Sequence, residues 1–97
     1  MGAEKLPADP GLDNIRQRFR NGRFPVATID HLEGREPFTA LGLVVTRGYS
    51  SEETFFSMLC RAEAKGAHGI IGYRESVAFH PDGTRFYTCY GTAVAFE

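Results

Sequence analysis

Two thiols and three imidazoles are the side chains in this sequence best suited to chemistry. Cys60 and Cys89 are its only cysteines, and His31, His68 and His80 its only histidines. Thiolate and imidazole suit a soft metal such as zinc or copper(I). No two of the five have the spacing of a recognised ligand motif, and neither CxxC nor HExxH occurs. A metal site would depend on the fold to gather its ligands, within one chain or between subunits. Cys89, Cys60 and His68 are the candidates. The competing role for each cysteine is that of a small core residue, the usual place of a reduced thiol. His68 follows a helix stop, where capping the last carbonyls is the alternative. No Ser/His/Asp or Cys/His set has a spacing that signals catalysis, so no catalytic residue is assigned. The chain reads as a binding or scaffold protein. The contrasting class is an enzyme or small-molecule binder whose site is shared between subunits.

Three other groups compete for a functional role. Gly66-x-x-Gly69-x-x-Gly72 resembles a phosphate cradle but lies between a helix and a strand, the reverse of the dinucleotide order. Tight turning and close strand packing explain it better. Arg16, Arg18, Arg20 and Arg23 form a basic stretch without an intervening acid, which reads as a solvated face more readily than as an anion site. Tyr49, Tyr73, Tyr87 and Tyr90, with Arg74 and Glu75, could line a pocket at a subunit interface; core and interface packing is the plainer alternative.

The elements that must position these residues follow from hydrophobic spacing. Residues 1–11, with Pro7, Pro10 and Gly11, read as a loose tail. Residues 13–20 predict a short helix with Asp13 as N-cap, Ile15 and Phe19 on one face and Asn21-Gly22 as its end. Residues 24–30 (FPVATID) are apolar and β-branched, the mark of a first strand. Residues 31–37 form a connection, and residues 38–47 a second strand. Ser50 and Glu53 have capping-box spacing, and Phe55, Met58, Leu59 and Ala62 follow helical periodicity up to Gly66. Residues 69–80 and 84–96 predict two further strands. The turn His80-Pro81-Asp82-Gly83 between them suits a type I turn with a glycine bulge, or a two-residue Asp-Gly turn, and the pairing register stays open. The expectation is an α+β domain, β-β-α-β-β, with a mainly antiparallel four-stranded sheet, one main helix and a short N-terminal helix. Its two parts are residues 1–23, tail and short helix, and residues 24–97, the domain proper.

Composition narrows the class. Ninety-seven residues allow one domain with a modest core. The strands are apolar on both faces, and one helix cannot cover both, so self-association is expected. Net charge is -1, which argues against a nucleic-acid or anionic-membrane binder. No apolar run is long enough to span a membrane. The opening MGAEKLPADPG lacks the apolar core of a signal peptide, and Leu6 breaks a myristoylation signal, so the expected location is the cytoplasm.

The segment AEAKGAHGIIGYRESV and the closing GTAV resemble the YbjQ-like family, small bacterial proteins often labelled heavy-metal-binding. Thr28, Gly34 and Leu41-Gly42-Leu43-Val44 fit its earlier part; Gly66-Ala67-His68-Gly69-Ile70-Ile71-Gly72 and Gly91-Thr92-Ala93-Val94 fit its more specific later motifs. The match covers about residues 24–97. His68 stands where the family commonly has Asn, and the segment before the helix, Arg47-Gly48-Tyr49-Ser50, is shorter than the family's. The resemblance implies a dodecin-like subunit and a ring-shaped homo-oligomer, usually a pentamer.

Overall fold

A computed structural model describes residues 10–32, 34 and 37–96. The tail expected over residues 1–11 lies, for residues 1–9, outside the described residues. The element order is α1 (Pro10–Arg20), β1 (Phe38–Gly48), α2 (Ser51–Ala64), β2 (Gly69–Phe79) and β3 (Arg85–Phe96). The strands form an antiparallel sheet in the order β1-β3-β2.

The expected four-stranded sheet is therefore corrected to three strands among the described residues. The segment that reads as a first strand, residues 24–30, forms no ladder. It lies along the free edge of β2 and makes one isolated parallel bridge, Val26 to Ile70. Four backbone bonds join it to β2: Ala27 N–H donates to Ile70 O, Ile70 N–H to Pro25 O, Gly72 N–H to Ile29 O and Tyr73 N–H to Ala27 O. Proline has no N–H to give a ladder. Phe24 is instead buried inward, 1% exposed. The β-branched residues do not follow it into the core: Val26 is half-buried, and Thr28 and Ile29 are exposed.

α2 forms as its sequence dictates. The Ser50 side chain accepts from Glu53 N–H at 3.2 Å. At the other end Gly66 takes φ 89° and Ala67 N–H reaches back to Ala62 O, the Schellman closure that glycine permits. Met58, Leu59 and Ala62 are fully buried against Val44, Ile70, Cys89 and Ala93 of the sheet. Each large apolar side chain so buried contributes about 1.5–3 kcal/mol. α1 packs on α2, with Ile15 fully buried in the same cluster. The β2–β3 turn has Gly83 N–H donating to His80 O, His80 N–H to Thr84 O, and Gly83 at φ 90°. These are the features of a type I turn with a glycine bulge.

Close approach of β2 to β3 depends on Gly91. A Cβ there would sit 2.6 Å from Ile70 Cγ2 and 3.2 Å from Ile71 O. Gly91→Ala is expected to cost about 1–3 kcal/mol, as overpacking does, and to lower the Tm in thermal denaturation. An unchanged Tm would show slack in this seam.

Candidate functional site

One row across the sheet holds most of the chain's buried reactive groups. Cys89 of β3 pairs with Thr46 of β1 on one side and Glu75 of β2 on the other. Residues paired directly across strands share a face, and here it is the face that α2 covers. A bulge between Ile71 and Arg74, with Gly72 at φ 63°, shifts the alternation of β2. Ile70 points into the core before it, and Tyr73 and Glu75 join the Cys89 side after it.

The resulting contacts form a chain. Tyr73 Oη lies 3.5 Å from Cys89 Sγ, and Cys89 Sγ donates to Glu75 Oε2 at 3.9 Å. Ser51 Oγ, in the first turn of α2, donates to the same carboxylate oxygen at 2.8 Å. The Tyr73 ring packs edge-on against Phe55, centroids 5.3 Å apart. Thr46 Oγ1 donates to Thr54 O at 2.8 Å, and Thr54 Oγ1 to Ser50 O at 2.6 Å. The polar row thus ties the start of α2 to all three strands.

Burial decides the protonation of this row. Cys89 is fully buried, and burial pushes its thiol pKa up, with the Glu75 carboxylate adding to the shift and the Tyr73 hydrogen bond opposing it. Burial likewise pushes the Tyr73 phenol up, aided by Cys89 and Glu75. Both stay protonated at neutral pH. A protonated, solvent-excluded thiol is neither a nucleophile nor a ready metal ligand. The row can hold hydrogen bonds and position the Glu75 carboxylate at the surface.

The other sequence candidates lie apart from it. Cys60, partly buried on α2, donates its thiol to Gly11 O of α1 at 3.6 Å; no disulfide joins it to Cys89. His68 is exposed, and its Nδ1 accepts from Phe96 N–H at 2.9 Å, so it fastens the end of β3 and does not cap α2. The His68 N–H donates to Val94 O, and Val94 stands five residues along β3 from Cys89, about 17 Å at the rise of a strand. His31 lies 3.5 Å from Asp30, and His80 3.3 Å from Tyr49 Oη at the hairpin end, both exposed. Among the described residues, no three His, Cys, Asp or Glu side chains are grouped so as to hold a metal ion.

The basic stretch finds its counter-charges inside the chain. Arg16 pairs with Asp13 at 3.0 Å and Glu52 at 3.5 Å, and Arg18 with Glu63. The Arg16 guanidinium also stacks 5.0 Å above the Phe56 ring. An open depression of about 430 Å³ lies beside it, lined by Asp13, Arg16, Gln17 and Arg20 of the one helix. Acidic partners more than thirty residues away in sequence were invisible to a local reading. The Tyr73–Cys89–Glu75 contact was hidden for a related reason: it needs both the hairpin register and the bulge, and Gly72 was its one local signal.

No family model and no curated protein matches the chain in sequence. Among solved structures the fold recurs in a protein of unknown function from Pediococcus pentosaceus that belongs to the DUF74 family. The two share 19% identity and a TM-score of 0.58, over 78% of this chain and 99% of that one. That likeness shows the α+β fold. No helix among the described residues is long and apolar enough to cross a membrane.

A thiol whose pKa is raised on folding stabilises the native state fully below its unfolded pKa and loses that contribution as pH rises through the folded one. Stability is therefore expected to fall as pH passes about 9, the ordinary thiol value, and to fall less steeply in Cys89→Ala. Denaturant titrations from pH 7 to 10 check this. Parallel curves for the two proteins would contradict the assignment.

Proposed function

We propose that the chain is a self-assembling scaffold or binding module of the YbjQ-like kind, located in the cytoplasm and without catalysis of its own. The observation that carries this is the hairpin arm. Residues 74–85 are exposed throughout, although they include Val77 at 44% and Phe79 at 64% exposure. β1 flanks this arm as far as Gly48 opposite Tyr87, and Tyr49 packs on His80 and Phe86 near its end, yet these apolar side chains stay uncovered, as at a contact surface. Leu43, 63% exposed on the sheet face away from α2, and Tyr90 beside it lack cover as well.

Strand edges support the same reading. Among the described residues β1 is paired on one side, by β3. It is an eleven-residue strand without proline and with Arg47 as its one charge, and natural proteins rarely leave such an edge open. Edge pairing between copies would satisfy its backbone groups and cover the arm. A pentameric ring is the arrangement that the family resemblance implies, and the fold likeness to the DUF74 protein supports that resemblance.

Native mass spectrometry with light scattering tests the reading. A multiple of the 10.7 kDa subunit is expected, with Leu43→Glu and Phe79→Ser each weakening association at least tenfold, or about 1.4 kcal/mol. A wild-type monomer at micromolar concentration would overturn it.

Soft-metal binding is a subordinate proposal; with Cys89 sealed in the core, it falls to Cys60 and His68 and needs ligands contributed by more than one subunit. Zinc and copper(I) titration of the assembled protein, with a chelator control, is expected to show stoichiometric uptake that Cys60→Ser abolishes. No uptake at micromolar metal would end it.

A further inference from the structure

The sheet carries its charge unevenly. Glu75 lies on the face that α2 covers, with Cys89 and Thr46, and α2 adds Glu52, Glu53 and Glu63 on that side. Strand alternation turns the intervening residues to the other face. Two adjacent rows cross it, Val45–Tyr90–Arg74 and Arg47–Thr88–Ser76. At the hairpin end Tyr49 packs edge-on against Phe86, centroids 5.3 Å apart. Among the described residues, the strands place no carboxylate on this face. Asp30 belongs to the segment along the β2 edge, and Asp82 to the turn, where it accepts from Thr84 N–H at 2.9 Å. Arg47 and Arg74 are both exposed. Arg74 donates to Thr28 O and Tyr73 O, neutral acceptors that orient its guanidinium without cancelling its charge. No carboxylate among the described residues pairs with either arginine. Two strands and two residues separate them, about 12 Å between Cα atoms. Exposed rings flank them, Tyr90 at 37% and Tyr49 at 63% exposure.

We propose that this face binds single-stranded nucleic acid, with phosphates on Arg47 and Arg74 and bases stacked on Tyr90 and Tyr49. An open antiparallel sheet with exposed aromatic rings is a stacking platform, and every base has a π face to offer it. Arginine neutralises the backbone between stacked bases. Thr88 and Ser76 put hydroxyls in the row beside Arg47, donors for sugar and phosphate oxygens. A duplex keeps its bases stacked inside. An acidic peptide has the charge but no planar groups for the rings. The single strand is therefore the better-matched partner. A net charge of -1 reads against nucleic acid only when charge is spread evenly, and here it is segregated by face. Copies that pair through their strand edges keep this face open, so the inference stands apart from the self-assembly reading.

The test uses the full chain and fluorescence anisotropy of labelled oligouridylate and oligothymidylate at low salt. Saturable binding is expected, weakening as salt rises; the tighter of the two ligands tells whether the strand is RNA or DNA. Tyr90→Ala should weaken binding about fivefold or more, as loss of a stacked base does. Arg47→Ala should weaken it and flatten the salt slope by about 0.7, the value of one single-strand phosphate contact. Circular dichroism and solution mass, measured on the same samples, separate these effects from unfolding or altered association, and Arg47→Ala is expected to leave both unchanged. No binding at about 100 micromolar protein would overturn the proposal. So would equal competition by polyglutamate, equal affinity for a duplex of the same length, or binding unchanged in both variants.

Discussion

Strands of eleven and twelve residues run about 36–40 Å, at roughly 3.3 Å per residue. A helix of fourteen residues runs about 21 Å, at 1.5 Å per residue. That difference in length governs the molecule. α2 seals one face of the sheet over part of its extent, from Ile70 and Ala93 at one end to Cys89 and Thr46 at the other. Beyond its first turn the sheet continues without helix cover, flanked by β1 as far as Gly48 opposite Tyr87 and then as the β2–β3 hairpin alone. Among the described residues the opposite face receives no helix, because α1 packs on α2.

The polar row marks the limit of what α2 can cover. Thr46, Cys89 and Glu75 cross the sheet where the helix begins, and Ser50, Ser51 and Thr54 meet them from the helix side. An apolar core does not end abruptly at water. Here it ends in groups that bond to each other on the dry side and expose a carboxylate on the wet side. The inner part is dry, with Cys89 fully buried, and that burial is what raises the thiol and the phenol. The same arrangement explains why the thiols and imidazoles do not converge. Cys89 faces one side of α2, Cys60 reaches toward α1 on another, and His68 is bound to the far end of β3.

Local signals were legible in the sequence where local chemistry settles the outcome. Ser50 and Gly66 bracket α2 because capping needs only neighbouring backbone groups. Gly83 fixes the hairpin turn for the same reason. What could not be read there depends on distant partners. Residues 24–30 look like a strand, yet their place on the β2 edge depends on where β3 has already paired. The bulge at Gly72 has meaning only against β3, and it decides that Tyr73 and Glu75, not their neighbours, meet Cys89. Arg16 and Arg18 look solvated until α2 brings Glu52 and Glu63 beneath them. The apolar, β-branched run at residues 24–30 is what overstated the strand count, which the three-stranded sheet corrects.

The two sides of the sheet end differently. On the β2 side the strap formed by residues 25–29 occupies the edge near Ile70 and leaves the arm clear, while among the described residues no strand pairs with the outer side of β1. The sheet therefore has unlike borders, and it has a direction. Two copies that join unlike borders leave one of each still open, so a pair made this way is never complete. Growth by that contact stops only when a fixed rotation brings the last copy back to the first; otherwise it continues as a filament. In a pair joined that way the strap, by shortening one border, would limit how far two neighbouring sheets overlap.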